Sequence, residues 1–233
     1  MIIIPARINS HRVKNKMLRK IKGKPVIQHT VENALKSEID RIIVATDSDI
    51  IAGMDFDSRV EIVNTKNIIC ENGTERCAYI ATKLKLSNSD SIINVQGDNW
   101  NVNPDAIKKV NYLLDNIPVY NKHRAMISMY EDITDKEMHD ESVIKVIINR
   151  NNKALFFTRY PITFAKKHCG IYGYNVSFLT YYKAWKNKSL EKSESLEQMR
   201  TLENDGIVYC YEFNDKAGDS INTEHDLLVA NSG

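Results

Sequence analysis

Residues 1–16 read MIIIPARINSHRVKNK, and this stretch decides which fold the rest of the chain must complete. Its apolar start, rich in β-branched isoleucine, predicts a strand buried on both faces over residues 1–4. Pro5 and Arg7 end the apolar run, and a loop rich in cations follows. A buried strand that leads directly into a polar loop is typical of a parallel sheet, in which ligands bind beyond the carboxyl ends of the strands.

Similar apolar runs recur through the first half of the chain, separated by amphipathic segments. They predict further buried strands over residues 41–46, 60–63 and 91–95. Two of the intervening segments carry their apolar residues on one helical face, one starting at Pro25 and one over residues 74–86. This alternation predicts an α/β domain with a mainly parallel sheet.

The pattern changes from about residue 125. Strands are predicted over residues 125–130, 143–149, 154–159, 171–175 and 207–213, and helices over residues 178–187, 193–203 and from Thr223 onward. Asn151 and Asn152 lie between two of these strands and predict a hairpin turn, which makes part of the region antiparallel. We therefore expect one α/β domain over residues 1–233, with an antiparallel appendage over about residues 125–175.

Composition and charge narrow the class of protein. With 42% hydrophobic and 27% charged residues the chain is ordinary for a globular protein, which excludes a disordered or collagen-like chain. The net charge of +2 argues against a nucleic-acid polymer as partner, and no apolar run is long enough for membrane insertion. Residues 1–31 nevertheless hold eight Lys or Arg and no Asp or Glu, so a small anion is expected there. The four cysteines form no CxxC pair, which favours reduced thiols in a cytoplasmic protein.

The loop after the first strand offers Arg7, Arg12 and Lys16, together with the hydroxyl of Ser10. Guanidinium and ammonium groups suit phosphate oxygens, which a nucleoside triphosphate carries in excess. A solvated basic loop is the alternative on charge alone. Neither GxxxxGK[ST] nor GxGxxG occurs in the sequence, so a phosphate site here is neither a P-loop nor a dinucleotide fingerprint.

A second candidate is QGD at residues 96–98, directly after the buried strand over residues 91–95. Asp98 would suit Mg²⁺, because this ion commonly binds one or two carboxylates together with substrate phosphates. Gly97 is expected to let a ligand approach the backbone. Ordinary turn chemistry is the alternative for a Gly-Asp pair. The combination with the basic loop favours the metal interpretation.

Six motifs follow one another along the chain: PARINSHRVKNK (5–16), ATD (45–47), NGTER (72–76), QGD (96–98), GIYGY (170–174) and SLEQMR (195–200). In this order and spacing the sequence resembles the CMP-Kdo synthetases, the 3-deoxy-manno-octulosonate cytidylyltransferases. The resemblance implies a three-layer α/β/α fold of the nucleotide-diphospho-sugar transferase type, with a mainly parallel, mixed sheet. It also implies an enzyme that transfers CMP from CTP to the anomeric hydroxyl of a 3-deoxy-octulosonate-type sugar acid and releases pyrophosphate. Members of the family are cytoplasmic, Mg²⁺-dependent and typically homodimeric.

The same resemblance implies roles for individual residues. The implied nucleotide-binding residues are Arg7, Ser10, Arg12, Lys16, Gly73, Thr74, Arg76 and Gln96. The implied sugar-binding residues are Arg159, His168, Tyr172, Glu197 and Gln198, and the strand-rich segment over about residues 125–175 also contributes dimer contacts. The implied metal ligands are Asp98 and Asn222, and the implied catalytic residues are Lys16, Asp98 and Arg12. From the residues alone, Tyr172 is equally typical of cross-strand packing and Glu197 of a solvated helix face.

The sequence departs from the family pattern at three places close to this chemistry. Asn222 stands where the family has a metal-binding aspartate, Asn99-Trp100 where it has Glu-Pro, and Lys14-Asn15 where it has Pro-Gly. An amide oxygen can ligate Mg²⁺ but brings no negative charge, and Asp219 or Asp226 would have to compensate. Trp100 is expected either to stack on the substrate or to pack beneath the site. Two alternatives stay open: a diverged nucleotide-binding homologue with little turnover, and a nucleotidyltransferase for a different acid acceptor.

Overall fold

The fold is built on a mixed β-sheet in a computed structural model that describes residues 1–9, 12–116 and 122–232. The strands are β1 (Ile2–Ala6), β2 (Lys20–Ile21), β3 (Lys24–Pro25), β4 (Ile42–Thr46), β5 (Val60–Asn64), β6 (Ser91–Val95), β7 (Ala125–Glu131), β8 (Lys145–Ile148), β9 (Ala154–Thr158), β10 (Lys166–Asn175) and β11 (Ile207–Glu212). The helices are α1 (Val26–Leu35), α2 (Asp49–Ala52), α3 (Gly73–Lys83), α4 (Pro104–Asp115), α5 (Asp135–Met138), α6 (Val176–Ala184), α7 (Ser189–Glu194), α8 (Met199–Glu203) and α9 (Glu224–Ser232), and a 3-10 turn covers Lys16–Leu18.

The large sheet has the strand order β11-β7-β10-β6-β1-β4-β5. Strand β1 lies in the centre and pairs in parallel with both β4 and β6. Strand β10 runs antiparallel to its neighbours β6 and β7, while β11 runs parallel to β7. Because only β10 is reversed along this path, the carboxyl ends of β1, β4 and β6 meet at one edge. This confirms the predicted mainly parallel α/β sheet.

The antiparallel part of the fold is divided between two places. Strands β7 and β10 belong to the large sheet, whereas the hairpin β8–β9 branches from it by pairing β8 with β10. The turn between β8 and β9 contains Asn152 in the left-handed region at φ 58°, which asparagine tolerates. The predicted hairpin turn is therefore confirmed.

Helices cover both faces of the large sheet. Side chains alternate across β1, so Ile2 and Ile4 join a core beneath α1 and α4, while Ile3 joins a core beneath α3 and α6. These two cores confirm the predicted three-layer α/β/α arrangement. Within the described residues, no helix is long and apolar enough to cross a membrane.

Two predicted elements need correction. The helix predicted over residues 193–203 is wrong, because Ser195 adopts the left-handed region at φ 55° and divides the segment into α7 and α8. The strand predicted over residues 171–175 is the second half of the longer β10, whose first half pairs with β7 and β8. Helix α4 was missed, although Asn103 caps it and Pro104 occupies its first turn.

Candidate active site

The central feature of the site is an ion pair between Lys16 and Asp98. Lys16 begins the 3-10 turn that follows the loop after β1, and Asp98 follows β6. The two strand ends are joined where the Gly97 N–H donates to the Pro5 carbonyl at 3.3 Å. The structure thus brings together the cation and the carboxylate that the sequence singled out, at the carboxyl ends of adjacent parallel strands.

Gly97 has a different role from the one expected. A Cβ atom at this position would lie 2.8 Å from the Pro5 carbonyl oxygen and 3.2 Å from side-chain atoms of Ile27 and Met17. The prediction that Gly97 leaves room for a ligand is therefore wrong, because that space is filled by β1, α1 and the 3-10 turn. Glycine is required here so that the loop carrying Asp98 can pack tightly against the core.

Arg12 and Asn222 form a second contact beside the ion pair. The Arg12 Nη2 donates to the Asn222 Oδ1 at 3.2 Å. The preceding residue, Ile221, donates its N–H to the Asp98 carbonyl at 3.0 Å, so the Asn222 and Asp98 loops lie against each other. The structure brings both predicted metal ligands to one place, although they lie far apart in the sequence.

The donor set fits Mg²⁺ only if the substrate supplies further oxygens. Asp98 offers one carboxylate and Asn222 one amide oxygen. Across the described parts of the chain, no group of three or more His, Cys, Asp or Glu side chains could hold a metal by itself. Mg²⁺ commonly binds one or two carboxylates plus substrate phosphates and water, so this sparse set is compatible with it.

The two carboxylates that could have compensated for Asn222 are engaged elsewhere. The Asp226 carboxylate accepts the N–H groups of Asn222 at 2.7 Å and Thr223 at 2.8 Å, and so caps the start of α9. Asp219 accepts the Asn101 amide at 3.1 Å. Both carboxylates therefore already accept hydrogen bonds outside the contact between Arg12 and Asn222.

The motif NGTER forms the start of α3. Asn72 is the N-cap, and its Oδ1 accepts the Glu75 N–H at 2.9 Å. Gly73 lies over the end of β6, because a Cβ at its position would lie 3.3 Å from the Asn94 Nδ2 and 3.2 Å from the Gln96 Nε2. Gly73 and Thr74, both predicted nucleotide-binding residues, therefore belong to the first turn of α3 at the rim of the site.

Arg76 is turned inward, away from solvent. Its guanidinium donates to the Asp47 carboxylate at 3.1 Å and to the Thr65 hydroxyl. The other oxygen of Asp47 accepts the Ile8 N–H at 2.8 Å, which ties α3 to the loop after β1. Asp47 was not among the predicted site residues, although its position after a buried strand in ATD was the available signal. Arg76 and Asp47 thus orient the loop that carries the cations.

Glu197 connects the predicted nucleotide side with the predicted sugar side. Its Oε2 accepts the Thr74 N–H at 2.8 Å, and its Oε1 accepts the Gln96 Nε2 at 2.8 Å. Burial raises the pKa of the Glu197 carboxyl, while these hydrogen bonds oppose the rise. The expectation of a solvated helix face does not describe this residue. Glu197 is a partly buried acceptor between the first turn of α3 and the end of β6.

Arg159 lies on the far side of the site, just after β9. Its Nε donates to the Glu194 carbonyl at 3.3 Å and its Nη1 to the Glu141 carbonyl at 3.0 Å. Burial lowers the pKa of Arg159, and the nearby positive charge of Arg12 lowers it further. The repulsion between Arg12 and Arg159 indicates that Arg159 lies near the cationic loop. An anion between Arg12 and Arg159 would be attracted by both guanidinium groups.

His168, Tyr172 and Gln198 form a buried layer. The Tyr172 hydroxyl donates to the Gln198 Oε1 at 3.1 Å. The His168 Nε2 lies 2.8 Å from the Ser128 hydroxyl, and burial lowers the pKa of His168 to about 3. In this structure the three side chains contact each other and the core. They could therefore act on a sugar only as buried groups that line the site from the side of the core.

The remaining predicted residues are placed as follows. Arg7 is exposed, and Ser10 lies outside the described residues. The Trp100 ring packs edge-on against the His29 ring, with 5.8 Å between the ring centres, beside the apolar cluster beneath α9, which favours packing beneath the site. Asn15, where the similar family has glycine, adopts φ 51° in the left-handed region. Asparagine tolerates this conformation, so Asn15 can form the turn before Lys16.

Comparison with known proteins shows the family to which the chain belongs. The family model described as Cytidylyltransferase matches residues 1–212. The fold alone is shared with 4-diphosphocytidyl-2C-methyl-D-erythritol synthase from Anaerococcus prevotii, with TM-score 0.62 and 16% identity over 99% of this chain and 95% of that one. The chain belongs to the cytidylyltransferase family and is a CTP-dependent nucleotidyltransferase.

Similar proteins within the family have more specific names. The 3-deoxy-manno-octulosonate cytidylyltransferase of Francisella tularensis subsp. novicida is 37% identical, over 87% of this chain and 85% of the relative. The protein of the same name from Coxiella burnetii is 35% identical, over 97% of this chain and 96% of the relative. A solved CMP:2-keto-3-deoxy-manno-octonic acid synthetase complexed with CTP has TM-score 0.82 and 28% identity, covering 99% of this chain and 96% of that one.

Proposed function

We propose that this enzyme transfers CMP from CTP to the anomeric hydroxyl of a 3-deoxy-octulosonate-type sugar acid, giving the CMP-sugar acid and pyrophosphate. The observation that carries the proposal is the pairing of Lys16 with Asp98 beside the contact of Arg12 with Asn222. Cations and metal-type oxygen ligands meet there at the carboxyl ends of parallel strands, where α/β proteins bind ligands. The names of the similar proteins support this choice of substrates.

Binding of the triphosphate is assigned to Arg7, Ser10, Arg12 and Lys16. Lys16 is buried, so its ammonium acts in a medium that screens its charge less than water does. In the absence of substrate, Asp98 neutralises Lys16, and an incoming phosphate oxygen would compete for that ammonium. The pairing keeps Lys16 in one orientation before CTP arrives, which lowers the entropy lost on binding.

Asp98 and Asn222 would hold Mg²⁺ together with oxygens of the triphosphate. When bound, this ion supplies positive charge that offsets the charge of the transferring and leaving groups. With an amide at position 222, the protein contributes one negative charge to the ion rather than two. We therefore expect metal affinity to depend strongly on the presence of CTP.

The sugar acid is assigned to the space between Arg159 and Glu197. Arg159 supplies a cation for the carboxylate, and Glu197 and Gln198 supply acceptors and donors for hydroxyls. The anomeric oxygen attacks the α-phosphorus in line with the departing pyrophosphate; the new P–O bond forms as the bond to pyrophosphate breaks, and the hydroxyl proton passes to solvent. No protein nucleophile is needed, because positioning and charge stabilisation provide most of the rate in such displacements. The inward-facing His168, with its lowered pKa, is not suited to act as a base in this step.

The reaction is tested by pyrophosphate release from CTP and Mg²⁺ with a panel of 2-keto-3-deoxy sugar acids. Asp98→Ala is expected to lower the rate roughly 100-fold, since a charge-stabilising group of the transition state is lost. Asp115→Ala, at an exposed position at the end of α4, is the matched control and should keep the wild-type rate. Tight CTP binding without pyrophosphate release from any acceptor would contradict the proposal.

We further propose that the enzyme is a cytoplasmic homodimer, with contacts around the segment between β9 and β10. Leu155, Tyr160 and Ile162 lie exposed in or beside this segment, and Phe164 is 95% exposed. An exposed apolar patch of this kind is typical of an interface between protein chains. The reduced thiols expected from the cysteine pattern are consistent with the cytoplasm.

Light scattering after size exclusion tests the dimer. Phe164 has φ 60°, a conformation that aspartate tolerates, so Phe164→Asp changes the surface with little backbone strain. It is expected to give monomers. Ile69→Asp alters a side chain that is 96% exposed elsewhere and serves as control. A Phe164→Asp protein that stays dimeric would refute the proposed contact.

A further inference from the structure

Arg200, from the motif SLEQMR, is completely buried although it carries a charge. Its Nε donates to Glu191 at 2.5 Å, its Nη1 to Glu75 at 2.7 Å and its Nη2 to Glu71 at 3.1 Å. The guanidinium also lies 4.3 Å from the centre of the Tyr182 ring. One side chain thus holds three carboxylates, on α3, on the segment before it and on α7.

The partners of Arg200 reach both halves of the proposed site. Glu191 accepts the Asn72 amide at 2.6 Å, and Asn72 caps α3. The Tyr182 hydroxyl accepts the same amide at 2.8 Å and donates to the Glu197 carbonyl at 3.0 Å. The first turn of α3 and the backbone of Glu197 are therefore both fixed to groups that contact Arg200.

The charge balance explains why arginine is needed at this position. Lys188 contacts Glu71 at 2.6 Å and Glu75 at 3.4 Å, whereas Glu191 pairs with Arg200. Burial opposes ionisation of Glu75, yet the Glu71 N–H and Arg200 hold its pKa below the usual value. A lysine would present a single ammonium and could not span three carboxylates with a planar fork.

We propose that Arg200 is a positioning residue for the transfer reaction. It holds α7 and α8 against the first turn of α3, and thereby fixes Glu197 where its carboxylate accepts the Thr74 N–H and the Gln96 amide. Arg200 touches no substrate and acts through Glu197. The inference rests on the proposed function, because Glu197 matters to turnover only if it faces the sugar acid.

A double-mutant cycle between Arg200→Lys and Glu197→Gln tests this coupling. Arg200→Lys alone is expected to raise the KM for the sugar acid about tenfold, with a smaller effect on the KM for CTP. In the Glu197→Gln background the same change should add less than about twofold. Arg41→Lys is the matched control and should leave both KM values unchanged, since Arg41 makes a comparable two-point contact with Glu61 at 2.7 and 2.9 Å on the opposite edge of the sheet. Full additivity of the two variants would overturn the proposal.

Amide hydrogen exchange gives a readout that does not depend on activity. The Thr74 N–H should exchange about tenfold faster in Arg200→Lys than in the wild type, while amides in the core strand β1 keep their protection. If Arg200→Lys fails to fold, Glu191→Gln weakens the same network and is expected to have the same effect on Thr74. Unchanged protection at Thr74 in a folded variant would overturn the proposal. A wild-type enzyme without turnover but with this exchange pattern would contradict only the proposed function.

Discussion

Replacing Gly97 by alanine is expected to displace Asp98 and to lower both stability and rate. The new methyl group would lie 2.8 Å from the Pro5 carbonyl oxygen and 3.2 Å from side-chain atoms of Ile27 and Met17. That carbonyl belongs to the central strand β1, which is paired on both sides and cannot easily shift. The loop that carries Asp98 must therefore move away from β1.

The size of the effect follows from these contacts. Inserting a methyl group into a packed site typically costs about 1–3 kcal/mol. Taking about 2 kcal/mol, and about 2–4 °C per kcal/mol for a protein of this size, the melting temperature should fall by about 4–8 °C. A displacement of a few tenths of an ångström at Asp98 should also lower kcat about tenfold, since a shift of about 1 Å can cost about 100-fold.

Thermal unfolding and pyrophosphate release measure the two effects separately. Gly170→Ala is the matched control for stability, because a Cβ there would have only the Gln96 Cγ at 4.0 Å as its nearest contact. Its melting temperature should stay within about 1 °C of the wild type. A Gly97→Ala enzyme with unchanged melting temperature and kcat would refute the view that packing of this glycine positions Asp98.

Three further predictions concern the metal, pH and the sugar side. Asn222→Asp should lower several-fold the Mg²⁺ concentration that gives half-maximal rate, as measured by titration at fixed CTP, and an unchanged value would exclude a metal role for position 222. Burial lowers the pKa of His168 from 6.5 to about 3 in the folded protein. As pH falls, His168 is therefore protonated in the unfolded chain before it is protonated in the folded protein, which favours unfolding. Stability should therefore drop by about 2 kcal/mol between pH 7 and pH 5, and urea unfolding of His168→Asn should show a flatter pH dependence. The Lys145 ammonium donates to three backbone carbonyls, including that of Arg159 at 2.9 Å. Lys145→Met should therefore lower the free energy of unfolding of the protein by about 2–4 kcal/mol. In the Lys145→Met enzyme the KM for the sugar acid should rise more than the KM for CTP. A folded variant whose two KM values equal those of the wild type would count against a role of Lys145 in placing Arg159.

Much of the fold was predictable because its central strands are buried on both faces. Continuous β-branched runs mark β1, β4 and β6 without reference to distant residues. The division of residues 193–203 into α7 and α8 was not predictable in this way. It depends on the left-handed conformation of Ser195 and on the burial of Arg200 among its carboxylates, and both are set by distant packing.

The candidate site shows the same division. The cations of the first loop and the carboxylate of Asp98 follow strands that the sequence marks, so their meeting could be expected from the sheet edge alone. The inward orientation of Arg76 and the bridging role of Glu197 could not, because each needs a partner from a remote segment. Gly97 was misinterpreted for a related reason: sequence indicates that a side chain is absent, but not what fills the space.

The sequence by itself determined the fold class, the position of the cationic loop and the reaction family, because these depend on local hydrophobic periodicity and on motifs that are contiguous in the chain. Only the tertiary structure decided which polar groups pair with one another and which are buried away from solvent. The resemblance assigns His168 to the sugar, whereas the structure shows its ring buried against Ser128. The physical reason is that a polar group withdrawn from water needs a hydrogen-bond partner, and the identity of that partner depends on packing between segments that the sequence does not place side by side.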